Sequence, residues 1–148
     1  MTESAIDVGH DLPLERSMPL VRIDSVEGRS DREIKDLLEA SHRAIVKAFH
    51  VNERDRCQIY CEHKSEQIVV EDTGLEISRT DKVIIFTVFS KARETALKVS
   101  LYKLLSDKLA VSCSISPSDV VITIVENTGA DWNFGNGEAQ FFTEKLRA

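Results

Sequence analysis

The sequence predicts an α+β domain in which two βαβ units share one four-stranded mixed sheet, with both helices on the same face. Three observations predict it. The two halves align with a shift of 64 residues, which sets Leu20-Val21 over Ile84-Ile85, Leu37 over Leu101, Ile45 over Leu109, Asp55 over Asp119 and Glu62 over Glu126. Each half reads strand, helix, strand in its hydrophobic period. Parallel strands joined through a helix take a right-handed crossover, so two such units in one sheet lay both helices on one side.

The elements follow in order. Pro19 to Asp24 opens with a proline and continues as a strand-like run. Ser30 and Glu33 form a capping box ahead of a helix that carries Ile34, Leu37, Leu38, Ile45 and Phe49 on one face and ends near His50. Asp55 to Cys61 alternates in the manner of a half-covered strand. Ser65 to Asp81 reads as a short hairpin-like excursion turning at Asp72-Thr73-Gly74. Val83 to Phe89 is a near-continuous β-branched and aromatic run, the pattern of a central strand covered on both faces. A second helix from about Arg93 to Val111 buries Leu97, Leu101, Leu104, Leu105 and Leu109. Ser116-Pro117-Ser118 turns the chain into a fourth strand, Val120 to Val125. The tail is rich in Gly and Asn yet holds Trp132, Phe134, Phe141 and Phe142, too many aromatic rings for a segment that packs on nothing. The strands are too apolar to leave the sheet's other face in water, and self-association is the economical way to cover it.

A chain of 148 residues with 42% hydrophobic content fits one domain with a proper core. The reading is a leader over 1–17, disordered or absent from the mature chain, and a single domain over 18–148. That domain holds repeats at about 19–63 and 82–126 and an aromatic-rich tail over 127–148. A net charge of −6 without a Lys/Arg cluster argues against nucleic acid or an anionic membrane surface as partner. Three cysteines, Cys57, Cys61 and Cys113, form no disulfide scaffold and suit a reducing compartment, with the cytoplasm as the default location. The leader has neither the basic start nor the apolar stretch of a signal peptide.

Met18-Pro19 carries the chemistry. Two readings stand: a proline opening an edge strand, where its missing N–H costs nothing, or a new N-terminus once Met18 is trimmed. In the second, Pro19 bears a free secondary amine, and α-amino groups titrate near roughly 7.7–8.0. Such an amine does acid, base or iminium chemistry at neutral pH. Lys91 and Arg93 fall at the strand-to-helix end of the second unit, where two cations can grip a carboxylate or merely solvate a helix start. Cations at a helix N-terminus oppose its dipole, which favours the first of these. Asp55, ahead of the second strand, can orient the Pro19 amine or a water, or act as a turn residue like its repeat-mate Asp119. His42, mid-helix, reads as a surface residue. Cys57, Cys61 and His63 share a strand face but match no common zinc spacing, and no phosphate loop, nucleophile elbow or His-Glu-x-x-His helix occurs.

Several blocks are more specific than the proline: Glu27-Gly28-Arg29-Ser30-Asp31, Asp55-Arg56, Glu71-Asp72-Thr73-Gly74-Leu75, Ile115-Ser116-Pro117, Val125-Glu126-Asn127 and Ala130-Asp131-Trp132-Asn133-Phe134-Gly135. With Pro19-Leu20-Val21 they make the chain, from about Pro19 to Leu146, resemble the tautomerase superfamily and within it the malonate semialdehyde decarboxylases. The resemblance implies a homotrimer with active sites near subunit boundaries and no metal or organic cofactor. It implies Pro19 as catalytic proline, Asp55 as essential aspartate and Arg93 as one of two arginines on the substrate carboxylate. Lys91 stands in the other arginine's place, which keeps the charge but loses the planar fork. Trp132, Phe134, Phe141 and Leu146 resemble the apolar wall of the pocket. The implied reaction is decarboxylation of a short 3-oxo acid. The alternatives are tautomerase or hydratase action on enol or unsaturated 2-oxo acids, or a non-catalytic trimeric binding protein if Met1 is the true start.

Overall fold

The computed structural model describes residues 19–143, so the expectations for the leader and for Leu146 lie outside the described residues. Along them run β1 (Leu20–Val26), α1 (Asp31–Phe49), β2 (Cys57–His63), β3 (Ile84–Lys91), α2 (Thr95–Cys113) and β4 (Val120–Asn127). The sheet order is β2-β1-β3-β4. β1 and β2 are parallel, β3 and β4 are parallel, and β1 meets β3 antiparallel. This is the mixed sheet that two βαβ units form when they join edge to edge.

The repeat extends to the C-terminal caps. Each helix has 19 residues, and each ends on a left-handed residue, His50 at φ 58° and Ser114 at φ 56°. At the start of α1 the Glu33 amide donates to Ser30 Oγ at 3.1 Å and the Ser30 amide to Glu33 Oε1 at 2.8 Å, the expected capping box. Such a cap contributes about 1 kcal/mol. α2 begins on Glu94, which makes no side-chain cap. It therefore starts two residues later than the sequence suggests, and Lys91 is the last residue of β3, not part of a helix start.

One layer of helices covers one face of the sheet. Ile23, Ile84, Phe86 and Val88 from the strands meet Leu37, Ile45 and Phe49 of α1 and Leu101, Leu105 and Leu109 of α2, all almost completely buried. Burying each such side chain is worth roughly 1.5–3 kcal/mol. The opposite face stays half open. Ile85, Thr87 and Phe89 alternate with the buried residues of β3 and are only partly covered, and Ile59 and Val125 on the outer strands are exposed. The expectation that β3 is covered on both faces is thus not met among the described residues of one chain, whose helical layer lies on the other side.

The segment between the units is not a hairpin. It holds a 3₁₀ turn at Ser65–Gln67 and the expected turn at Asp72-Thr73-Gly74, where Gly74 takes φ 74°, but no strand. Arg79 organises it instead, donating to Glu71 O at 3.1 Å and Ser118 O at 2.7 Å. Backbone carbonyls that a ladder would have satisfied are met by one guanidinium. Among the described residues no helix is long and apolar enough to cross a membrane.

Candidate active site

The topology gathers the candidate residues at one end of the sheet. Leu20 pairs with Cys57 on one side and with Phe89 on the other, so Pro19, one residue earlier, stands between the start of β2 and the end of β3. Pro19 is buried. It lines a narrow cleft with Val21, His42, Ile45, Asp55, Arg56, Cys57 and Gln58.

The loop carrying Asp55 is pinned from below. The Asp55 amide donates to Asn52 O at 2.9 Å, closing a turn. His42 is buried, contrary to the surface placement expected of it, and its Nε2 lies 2.9 Å from Glu53 O. A carbonyl only accepts, so Nε2 carries the proton. Gln58 Nε2 donates to Leu38 O at 2.9 Å and Ser41 Oγ at 3.0 Å, and Arg56 Nη1 reaches Glu39 Oε1 at 3.0 Å. The cleft floor is therefore a hydrogen-bonded seam between α1 and β2.

The two cations stand at the end of β3. Lys91 pairs with Asn127 in the parallel ladder, and its Nζ lies 4.6 Å from the centroid of the Phe141 ring. Burial, and then the nearby Arg93 charge, push the Lys91 ammonium below the usual lysine pKa. Arg93 follows the strand with its guanidinium 5.0 Å from the ring centroid of Phe49, the last residue of α1. Aromatic faces hold a cation at modest solvation cost.

The tail forms a wall beside them. Trp132 and Phe134 stack with centroids 5.2 Å apart, and Phe134 meets Phe141 at 5.8 Å with a tilt of 56°. Trp132 Nε1 donates to Asn127 Oδ1 at 2.8 Å, which ties the wall to the strand end beside Lys91. Gln140 holds it from within, accepting from the Phe134 amide at 2.9 Å and donating to Gly135 O at 2.8 Å. Phe141 is buried, but Phe142, also expected to pack, is 65% exposed.

Of the residues singled out in the sequence, Pro19 and Asp55 thus share a cleft, while Lys91 and Arg93 with Trp132, Phe134 and Phe141 occupy the adjoining end of the sheet. His42, Gln58, Asn127, Gln140 and Phe49 were not singled out for the site. Phe49 reads only as a core residue, and a polar side chain turned inward leaves no periodic signal. His63, grouped by sequence with Cys57 and Cys61, pairs instead with Asp24, Nε2 to Oδ1 at 2.7 Å. Among the described residues no group of His, Cys, Asp and Glu is placed to hold a metal ion.

Known proteins align with this arrangement. A family model described as tautomerase enzyme matches residues 55–135, and a second of the same description matches residues 19–77. YrdN of Bacillus subtilis (strain 168), a probable tautomerase, is 45% identical over 129 residues, 87% of this chain and 100% of that protein. A malonate semialdehyde decarboxylase, solved in wild-type, mutant and inactivated forms and described with decarboxylase and hydratase activities, is similar at 46% identity and a TM-score of 0.82, over 84% of this chain and 96% of its own. A second, FG41 malonate semialdehyde decarboxylase inhibited by 3-bromopropiolate, is similar at 36% identity and a TM-score of 0.81, over 84% of this chain and 95% of its own.

Proposed function

The chain belongs to the tautomerase family, and on that premise we propose that it is a cofactor-independent decarboxylase of a short 3-oxo acid such as malonate semialdehyde, with the Pro19 amine as catalyst. The observation that carries this reading is the shared sheet end: Pro19 and Asp55 in one cleft, and Lys91 and Arg93 where β3 leaves the sheet. The amine becomes available when the chain up to Met18 is removed. In support, one family match begins at residue 19, and YrdN is matched over its whole length by 87% of this chain.

Arg93 and Lys91 hold the substrate carboxylate and turn the scissile C–C bond out of the carbonyl plane, a contribution of positioning. Protonated Pro19 polarises the carbonyl oxygen, or the neutral amine condenses with the carbonyl to an iminium. Either gives the electrons of the breaking bond a sink. Carbon dioxide leaves neutral, so the wall of Trp132, Phe134 and Phe141 disfavours the charged ground state more than the transition state. Asp55 holds the Pro19 ammonium or aims a water, which would give hydratase action. The half-open sheet face is covered by association into a homotrimer, in which Ile59 and Val125 leave water.

A second reading, enol–keto tautomerisation, is favoured by the naming of YrdN as a probable tautomerase. It uses the same amine as a proton carrier and needs no bond to carbon dioxide to align. Carbon dioxide release from malonate semialdehyde, measured for the chain starting at Pro19 and for the full chain, tests the proposal. Faster turnover by the Pro19-initiated chain is expected. Equal turnover by both would remove the amine from the mechanism, and ketonisation of phenylenolpyruvate without decarboxylation would select the second reading.

A further inference from the structure

Lys91 differs from a second arginine in one chemical respect that the carboxylate clamp does not use: a neutral primary amine is a nucleophile, whereas a guanidinium stays protonated. We propose that Lys91 is a second amine catalyst of this site, which forms an imine with the carbonyl carbon of the 3-oxo acid that Arg93 holds. The substrate class rests on the function proposed above; the nucleophile does not depend on Pro19.

The surroundings of Lys91 fit that role. Its Nζ lies over the Phe141 ring at 4.6 Å, beside the wall that Asn127 anchors through Trp132. A β-carbon on Gly129 would stand 3.7 Å from Nζ and 3.4 Å from Phe141. Gly129 does not have a positive φ, so the backbone there does not demand glycine, and what the missing side chain provides is space next to the amine. Among the described residues Lys91 makes no ion pair with a carboxylate, the partner that would hold it as an ammonium. Burial and the Arg93 charge both favour the neutral form, the two circumstances that activate lysine toward carbonyl compounds. The face of Phe141 opposes them by favouring the cation.

The step balances without a redox partner. The neutral amine attacks the carbonyl carbon, a C–N bond forms, and the carbonyl oxygen takes up protons and departs as water, leaving an iminium. The bond to the carboxylate breaks, carbon dioxide leaves, and the electron pair flows to the nitrogen to give an enamine. Protonation at carbon and hydrolysis return the amine and release the carbonyl product, one carbon shorter.

Reductive trapping of the full chain tests this. The protein is incubated with acetoacetate and sodium cyanoborohydride, digested, and mapped by mass spectrometry. The expected result is an adduct on Lys91, carrying the acid or its decarboxylated ketone, at least ten-fold above that on the exposed Lys47 and Lys103, and suppressed by excess malonate. It should persist when the Pro19 nitrogen is still in peptide linkage and vanish in Lys91→Arg. Label on Lys91 but not on a freed Pro19 would support this inference and remove the iminium route at Pro19, leaving Pro19 its role as proton donor. Label on Pro19 alone, no label at all, or Lys91 labelled no more than Lys103 would overturn it.

Discussion

The two ends of the sheet are built from equivalent residues and put to different uses. With the shift of 64, Arg29 corresponds to Arg93, Asp119 to Asp55 and Val83 to Pro19. At the far end Arg29 donates to Lys82 O at 2.9 Å and to Ser25 Oγ. Asp119, 2% exposed, accepts from the Thr80 amide at 2.7 Å and from Thr80 Oγ1 at 2.6 Å. Arginine and aspartate there are consumed in fastening the segment that links the units, and Val83 is buried beneath it. At the near end Asp55 is only half buried and opens on the Pro19 cleft, while Arg93 rests on Phe49. One repeated scaffold thus supplies the same charged pair twice. What separates a structural end from a candidate catalytic one is whether a loop closes over it.

Substitutions of equivalent residues test that contrast. Arg93→Ala should lower kcat/KM for a 3-oxo acid by about 2–5 kcal/mol, roughly 30-fold to a few thousand-fold. Arg29→Ala should leave turnover per folded molecule within about two-fold and appear in urea melts instead. Equal kinetic losses would erase the distinction. Next in size, Asp119→Ala strands the Thr80 amide and hydroxyl and should cost about 2–3 kcal/mol of stability. Asp55→Ala, at a half-buried position, should cost less stability than Asp119→Ala while depressing kcat, and a loss of stability as large as that of Asp119→Ala would make Asp55 a second structural aspartate. Asn127→Ala removes the partner of Trp132 and should cost about 1 kcal/mol and raise KM several-fold. Smallest of all, Glu94→Ser gives α2 the side-chain cap that α1 already has from Ser30 and should add about 0.5–1 kcal/mol in the same melts, with kinetics unchanged.

The fold was legible because its repeat is written in apolar spacing. Leu37 and Leu101, or Ile45 and Leu109, mark the same helix face twice, and the capping box at Ser30 fixes the start of α1. The linking segment was misread because Arg79 and Asp119 hold it through backbone groups 39 residues away in sequence, which no local pattern encodes. The site was legible at Pro19, Asp55, Lys91 and Arg93 through motif and position. His42 and Gln58 were missed, since a polar residue on the inner face of a helix or strand declares its partner only after folding. The start of α2 was misplaced for a related reason: Glu94 caps by backbone geometry alone.

The central claim is that the near end of the sheet carries a free secondary amine. Sequential N-terminal degradation of the mature protein, isolated from the cells that make it, reads this directly. Proline followed by leucine and valine in the first three cycles is the result the account predicts. Methionine or threonine in the first cycle, from fully processed material, would leave the Pro19 nitrogen an amide and contradict the proposed catalyst.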